Sequence, residues 1–137
     1  MSLAMDEVPD DTGILDQEVF EQILELDDDS QDFLKGLIFN YYNQVQSALI
    51  QLENSLNSSD LAGISSIGHS LKGSSASLGL IKMREISERL QKIGDYHAEI
   101  DPNMPIQILL KAAEKELDNL HSEYKKVVQL FNYFLND

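Results

Sequence analysis

The sequence has no cysteine, little proline and few basic residues. The absence of cysteine excludes disulfides and thiolate chemistry. No apolar run reaches the roughly 20 residues of a membrane helix, and the first residues lack the charged start and apolar middle of a signal peptide. We therefore expect an intracellular protein that does not contact membranes. The 10 basic residues against 24 acidic ones give a net charge of −14, which also argues against nucleic-acid binding.

Apolar residues recur at helical spacing along most of the chain, and no strand signal competes with this pattern. Residues 1–13 are polar and acidic and predict a mobile tail, whereas residues 14–137 are long enough for one globular domain. The predicted fold is all-α: an antiparallel up-down-up-down four-helix bundle with a short N-terminal helix as a lid. The predicted helices span about 16–26, 31–56, 61–78 and 81–93, followed by a last helix of about 30 residues.

Helix-end signals set these boundaries. The acidic turn 27–30 is expected to cap the second helix, and the turn 57–60 to cap the third. Gly79 is expected to end the third helix, Gly94 is expected to end the fourth, and the last helix follows a connector that includes Pro105.

The most informative segment surrounds His69. From Leu61 to Arg84 there is no Asp or Glu, although the chain carries 24 of them. Lys72, Lys82 and Arg84 are the only formal charges in this window. His69 therefore lies in a locally cationic part of an anionic chain, which suits a phosphoryl group.

Helical geometry places His69 opposite the expected core stripe. At roughly 100° per residue, one side of the third helix carries Leu61, Ile64, Ile67, Leu71, Ser75 and Leu78. The neighbours of His69 on the other side are small, except for Lys72. Gly73, one turn further on, costs about 1 kcal/mol relative to Ala in a helix interior. A lone exposed histidine is ordinarily just solvated, but this combination with Lys72 and Gly73 favours a functional site.

Residues 69–80 resemble the signature of histidine-containing phosphotransfer (HPt) domains, H-x-L-K-G-S-S-x-x-L-G, and are closest to the fungal phosphorelay intermediates. The resemblance extends to residues 26–38, which are similar to the acidic turn and second helix of those proteins, and to residues 88–91 in the next helix. The connection at residues 95–104 is short where some yeast relatives have a long acidic insertion.

The resemblance implies a phosphorelay intermediate in two-component signalling. His69 would accept a phosphoryl group on Nε2 from a receiver-domain aspartate of a hybrid sensor histidine kinase, and would pass it to the aspartate of a downstream response regulator. Lys72 would offset phosphoryl charge, Gly73 would provide clearance, and Gln91 would orient the imidazole. The protein would be a stoichiometric carrier without a cofactor, because Mg²⁺ is expected on the receiver. A cytoplasmic monomer is expected, with the nucleus as an additional location.

A docking surface for the receiver is expected from apolar residues in excess of what the core needs. The alternative is that these residues only pack the lid against the bundle. The expected docking residues are Val19, Ile23, Leu26, Phe33, Leu37 and Gly73.

Other functions are disfavoured. A calcium loop starting at Asp27 would have Asp32 and Ile38 where Gly and Glu are required. His97 and His121 lack the ligand spacing of a zinc site, so no metal site is predicted. A kinase would need a Gly-rich nucleotide loop, which is missing, so ATP alone should not label the chain. A phosphorylation-independent helical adaptor or scaffold remains the alternative.

Overall fold

The structure is a computed structural model that describes residues 13–26 and 32–135. The acidic cap predicted at residues 27–30 and residues 1–12 of the predicted tail lie outside the described residues. The described chain forms five helices: α1 (Gln17–Leu26), α2 (Asp32–Asn57), α3 (Leu61–Ser77), α4 (Ile81–Glu99) and α5 (Ile106–Leu135).

Helices α2 to α5 form the predicted antiparallel bundle, in which each helix packs on the next and α2 meets α5 to close the ring. Cross-helix bonds fix the directions. Tyr41 in the first half of α2 shares a 2.7 Å hydrogen bond with Ser75 near the end of α3. Gln44, further along α2, donates to Ser70, which comes earlier in α3, so these two helices are antiparallel. Arg89 of α4 donates to Glu116 of α5 at 2.8 Å. In the ranges that the structure describes, no helix combines the length and apolar composition needed to cross a bilayer.

The core stripe of α3 agrees largely with the prediction. Ile64, Leu71 and Ser75 are buried, and Leu78 is buried just beyond the helix end. Leu61 and Ile67 are only partly buried. The buried hydroxyl of Ser75 is satisfied by Tyr41, so a polar residue is accommodated within an otherwise apolar stripe.

Helix α1 is the predicted lid. The fully buried Phe20 stacks on Phe131 at 6.1 Å and meets Phe134 at 5.0 Å, both near the end of α5. The residues before α1 pair with the turn after α3, because the Asp16 N–H donates to the Gly79 carbonyl at 2.6 Å. The lid therefore covers the end of the bundle at which α3 stops.

Both ends of α3 follow the expected signals. Asp60 caps the start, where its Oδ1 accepts the Gly63 N–H at 2.9 Å. Gly79 has a φ of +70°, a conformation that an L residue rarely adopts and that commonly follows a helix end.

The predicted end of α4 at Gly94 is wrong, because the helix continues to Glu99. A Cβ on Gly94 would lie 2.5 Å from the Leu61 carbonyl oxygen and from the Ser65 nitrogen. This glycine therefore lets α4 approach α3 closely and does not terminate the helix. Termination comes later, where the N–H groups of Ile100 and Asp101 both donate to the Tyr96 carbonyl at 2.9 Å. The connector to α5 is correspondingly shorter than predicted.

Candidate functional site

His69 lies in the middle of α3 and is exposed to solvent. A Cβ built on Gly73, one turn further along α3, would have no heavy atom within 4 Å. Ser66 and Ser70, which flank His69 on the α2 side, are also exposed. The imidazole thus stands on an open ridge that another protein surface can approach.

On its other side, the turn of His69 is packed tightly against α4. A Cβ on Gly68 would lie 2.6 Å from the Gln91 backbone nitrogen and 2.7 Å from the Ser87 carbonyl oxygen. Gly68 is not among the predicted site residues, although a glycine between Ile64 and Leu71 on the core stripe is a signal of close helix contact. The packing brings Gln91 next to the turn that carries His69.

The Gln91 side chain has an unusual environment. Its Oε1 is buried and has no hydrogen-bond partner among the described residues. His69 is also among the described residues, and it donates no hydrogen bond to Gln91 Oε1. A buried amide oxygen without a donor is destabilising, by roughly 1–3 kcal/mol. The predicted role of Gln91 therefore remains a prediction, but this oxygen is available to accept a donor.

The charged groups described near His69 are a lysine on α3 itself and a carboxylate on the neighbouring helix α4. Lys72 is partly exposed and belongs to none of the ion pairs found among residues 13–26 and 32–135. Helix α4, however, adds a carboxylate that the sequence window does not contain. Asp95 accepts a hydrogen bond from Ser65, one turn before His69. The neighbourhood is therefore less free of acid in space than along the chain, although Ser65 occupies one oxygen of this carboxylate.

Three of the predicted docking residues meet in one apolar groove between α1, α2 and α3. Ile23, Phe33 and Leu37 line this groove, which has a volume of about 370 Å³, together with Ser74 and Ser77 of α3. We call it the apolar groove. Phe33 is 44% exposed although it lines the groove together with Ile23 and Leu37.

The other predicted docking residues lie elsewhere. Val19 packs beside Gly79 and lines a smaller cleft of about 60 Å³ with Ala76. Leu26 is 74% exposed at the end of α1 and does not line the apolar groove. Gly73 lies on the ridge of α3 next to His69. The predicted docking residues therefore do not form one patch but lie on several neighbouring surfaces.

A second groove, which was not predicted from the sequence, runs between α2 and α3 at the level of His69. It has a volume of about 280 Å³. We call it the polar groove, because uncharged polar side chains supply most of its lining: Gln44, Ser47, Gln51, Ser66 and Ser70. Gln44 also lines the apolar groove, so the two grooves adjoin at this residue.

A buried tyrosine, Tyr41, lies in the wall of the apolar groove. Burial raises the pKa of Tyr41, which lines the apolar groove, well above its usual value, although its hydrogen bond with Ser75 opposes the shift. A phenol is already neutral at pH 7 at its ordinary pKa, so this shift only strengthens the neutral state, and the lining of the apolar groove carries no charge.

The remaining histidines are separate from His69. His97 belongs to the connection predicted at residues 95–104, but it lies in the last turn of α4, where its Nε2 bonds to the Met104 carbonyl. His121 is exposed on α5. Within the described part of the chain, no three His, Cys, Asp or Glu side chains are arranged to hold a metal ion.

Comparison with known proteins gives a consistent result. Residues 37–126 match the Hpt domain family. The chain is 40% identical over 124 residues to multistep phosphorelay regulator 1 of Schizosaccharomyces pombe, covering 88% of this chain and 42% of that protein. It is 36% identical over 91 residues to phosphorelay intermediate protein YPD1 of Saccharomyces cerevisiae, covering 66% of this chain and 54% of that protein. The chain thus spans about half the length of these curated relatives.

Solved structures agree with the sequence comparisons. The co-crystal structure of the S. cerevisiae histidine phosphotransfer signaling protein Ypd1 and the receiver domain of its downstream response regulator Ssk1 matches with a TM-score of 0.78 and 29% identity, covering 88% of this chain and 94% of that chain. The crystal structure of the yeast phosphorelay protein YPD1 matches with a TM-score of 0.75 and 26% identity, covering 88% and 94%. The five-helix fold and the match over residues 37–126 establish that this chain belongs to the Hpt domain family.

Proposed function

We propose that this chain is a phosphorelay intermediate that carries a phosphoryl group on His69 between two receiver domains. The observation that carries the proposal is the exposed His69 beside the open space at Gly73, in a member of the Hpt family. The Nε2 lone pair of His69 attacks the phosphorus of an aspartyl phosphate. The new P–N bond forms as the P–O bond breaks, and the aspartate leaves as a carboxylate. The reverse step on a second receiver releases His69 unchanged.

Lys72 stabilises charge during this transfer. It lies one turn from His69 and has no carboxylate partner within the described ranges, so its ammonium is available for the phosphoryl oxygens. Phosphoryl transfer needs mainly positioning and charge stabilisation. Lys72 is well suited to the second of these, while the receiver supplies Mg²⁺ and this chain needs no metal or ATP of its own.

Gln91 positions the imidazole. Its buried, unpartnered Oε1 is an acceptor for the Nδ1–H of a neutral His69 on the adjacent turn of α3. This hydrogen bond favours the tautomer in which the Nε2 lone pair is free to attack. It also removes the desolvation penalty on the amide oxygen.

The receiver docks on the apolar groove and the ridge of α3. The groove presents Phe33 and Leu37 next to the helix that carries His69, and an exposed apolar surface of this kind is typical of protein interfaces. Ypd1, a structural relative, is crystallised with the receiver domain of Ssk1, which supports this choice of partner. A hybrid sensor kinase supplies the upstream receiver, a response regulator is the downstream one, and the carrier acts as a monomer in the cytoplasm and nucleus.

The direct test uses a receiver domain that carries a radiolabelled aspartyl phosphate, such as the Ssk1 receiver. Wild-type chain should acquire a label that is stable in base and labile in acid. His69→Gln should acquire none, while its circular dichroism spectrum stays that of the wild type. Equal labelling of the variant would refute the role of His69. Receiver binding without any label on the wild type would instead support a phosphorylation-independent adaptor.

A further inference from the structure

The surface formed by α2 and α3 is almost free of charge. A quarter of all residues are charged, yet residues 36–52 of α2 contain no Asp, Glu, Lys or Arg, and Lys72 is the only one of these in residues 61–81. Many positions of this stretch face solvent. Asn43, Ser47 and Gln51 are exposed, as are the apolar Phe39 and Ile50. Solvent-facing positions on helices commonly carry charges, so the exclusion of charge here needs a reason other than burial in the core.

The polar groove lies within this uncharged surface. Its α2 wall is formed by Gln44, Ser47 and Gln51, and the Gln51 amide donates to the Ser47 hydroxyl at 2.9 Å. Its α3 wall includes Ser66 and Ser70. A long hydrogen bond of 3.5 Å from the Gln44 amide to the Ser70 hydroxyl joins the two walls. The groove therefore offers hydrogen-bond donors and acceptors without a net charge.

The polar groove lies close to His69, so a partner that docks at His69 is the natural candidate to cover it. Ser66 and Ser70 flank His69 in sequence, and one helical turn is only about 5.4 Å long. A standard protein interface buries about 800 Å² on each partner, which corresponds to a disc with a radius of roughly 16 Å. An interface of this size that is centred on His69 therefore extends over the polar groove as well. Charged side chains are depleted in the centres of such interfaces, in agreement with the composition of this surface.

We propose that the polar groove is the second half of the receiver-docking surface, where it receives a receiver loop that presents uncharged hydrogen-bonding groups. The apolar groove contributes apolar burial on one side of His69, whereas the polar groove fixes the register of the receiver through hydrogen bonds. Ser47, Gln51 and Ser66 are accordingly specificity-determining residues. This inference rests on the proposed phosphorelay function.

The test introduces a carboxylate into the groove. Ser47→Glu and Gln51→Glu are each expected to weaken binding of the Ssk1 receiver domain about tenfold, a change of roughly 1.4 kcal/mol, as measured by isothermal titration calorimetry. Gln107→Glu and Ser122→Glu add the same charge at exposed positions of α5 and should change the affinity less than about twofold. Because the loss comes from burying a carboxylate without a charged partner, it should persist when the salt concentration is raised. A defect caused by misfolding would instead change the circular dichroism spectrum and the urea unfolding curve of the variant.

The outcomes separate this inference from the function on which it rests. If the wild type accepts label from the receiver while the groove variants bind and react like the α5 controls, the polar groove lies outside the interface and the inference is wrong. If the groove variants change the oligomeric state in analytical ultracentrifugation and leave receiver binding intact, the groove is a contact between copies of this chain and the inference is again wrong. Absence of label on the wild type refutes the proposed function, and the inference with it.

Discussion

Two glycines of α3, five positions apart, lie in opposite surroundings: one is packed against a neighbouring helix and the other is open to solvent. Gly68 faces α4, and a single added carbon there would overlap the backbone at Gln91 and Ser87. Gly73 faces solvent, and the same carbon would touch nothing within 4 Å. The first glycine lets two helices approach closely, and the second leaves room outside the bundle. His69 lies between them, so one side of its helix is rigidly packed while the other remains open to a partner.

The stability of the fold should be more sensitive to added volume on the side of α3 that packs against α4. Gly68→Ala is expected to lower the free energy of unfolding by about 2 kcal/mol, because overpacking against backbone atoms outweighs the higher helix propensity of alanine. Urea unfolding monitored by circular dichroism measures this change. A variant as stable as the wild type would show that α4 can move away from α3, and would contradict the tight contact.

Substitutions on the solvent-facing side of α3 should change the rate of phosphoryl transfer rather than the stability of the fold. Lys72→Ala is expected to slow phosphoryl transfer from a receiver about tenfold, equal to roughly 1.4 kcal/mol in the barrier, without a change in the unfolding free energy. Lys82→Ala is the matched control, because Lys82 belongs to the same acid-free window but lies on α4. Rapid-quench kinetics provide the rates. Equal rates for Lys72→Ala and Lys82→Ala would remove Lys72 from the mechanism.

Gly73→Ala is the counterpart of Gly68→Ala and should have the opposite sign. Alanine at this open helical position should raise the unfolding free energy by about 1 kcal/mol. Gly36→Ala, at another helical position with nothing within 4 Å, should give a similar gain. Because the new methyl group of Gly73→Ala lies on the approach to His69, receiver binding should weaken despite the gain in stability. Destabilisation in urea would show that Gly73 serves the fold rather than the approach.

The smallest expected effect concerns the contact of α4 with α5. Burial raises the pKa of Glu116, but hydrogen bonds from Arg89 and Asn119 outweigh it and hold this pKa below its usual value. The folded pKa is therefore below the unfolded one, so the pair stabilises the fold above the unfolded pKa and loses this contribution as the pH falls through the folded pKa. The Arg89 side chain is 48% exposed, which limits the contribution to less than about 1 kcal/mol.

A comparison with Glu116→Gln isolates that contribution. Between neutral pH and about pH 3, the wild type should lose slightly more stability than this variant in urea unfolding curves. Identical pH dependence would mean that solvent screens the ion pair completely.

Much of the fold was predictable from the sequence. The Asp60 cap, the stop at Gly79 and most of the core stripe of α3 are local signals, and they lie where the pattern predicted them. The exposure of His69 followed from the same periodicity. The end of α4 was not predictable in this way, because Gly94 fits both a helix terminus and a close helix contact, and only the position of α3 decides between these two uses.

The site was only partly predictable for a similar reason. Ile23, Phe33 and Leu37 form one groove, but Val19 and Leu26 do not line it, since the orientation of the lid depends on how Phe20 packs against α5. The polar groove requires two helices to be placed side by side. Its sequence signal, the absence of charge in residues 36–52, becomes meaningful only once the exposed positions of α2 are known.

The most direct measurement of the relay itself is a chase between two receivers. A first receiver domain carrying labelled aspartyl phosphate is mixed with an unlabelled second receiver, with and without this chain. Label should appear on the second receiver only when wild-type chain is present, after passing through a base-stable, acid-labile species on this chain, and His69→Gln should not support the transfer. Transfer at the wild-type rate with His69→Gln would contradict a carrier that works through this imidazole.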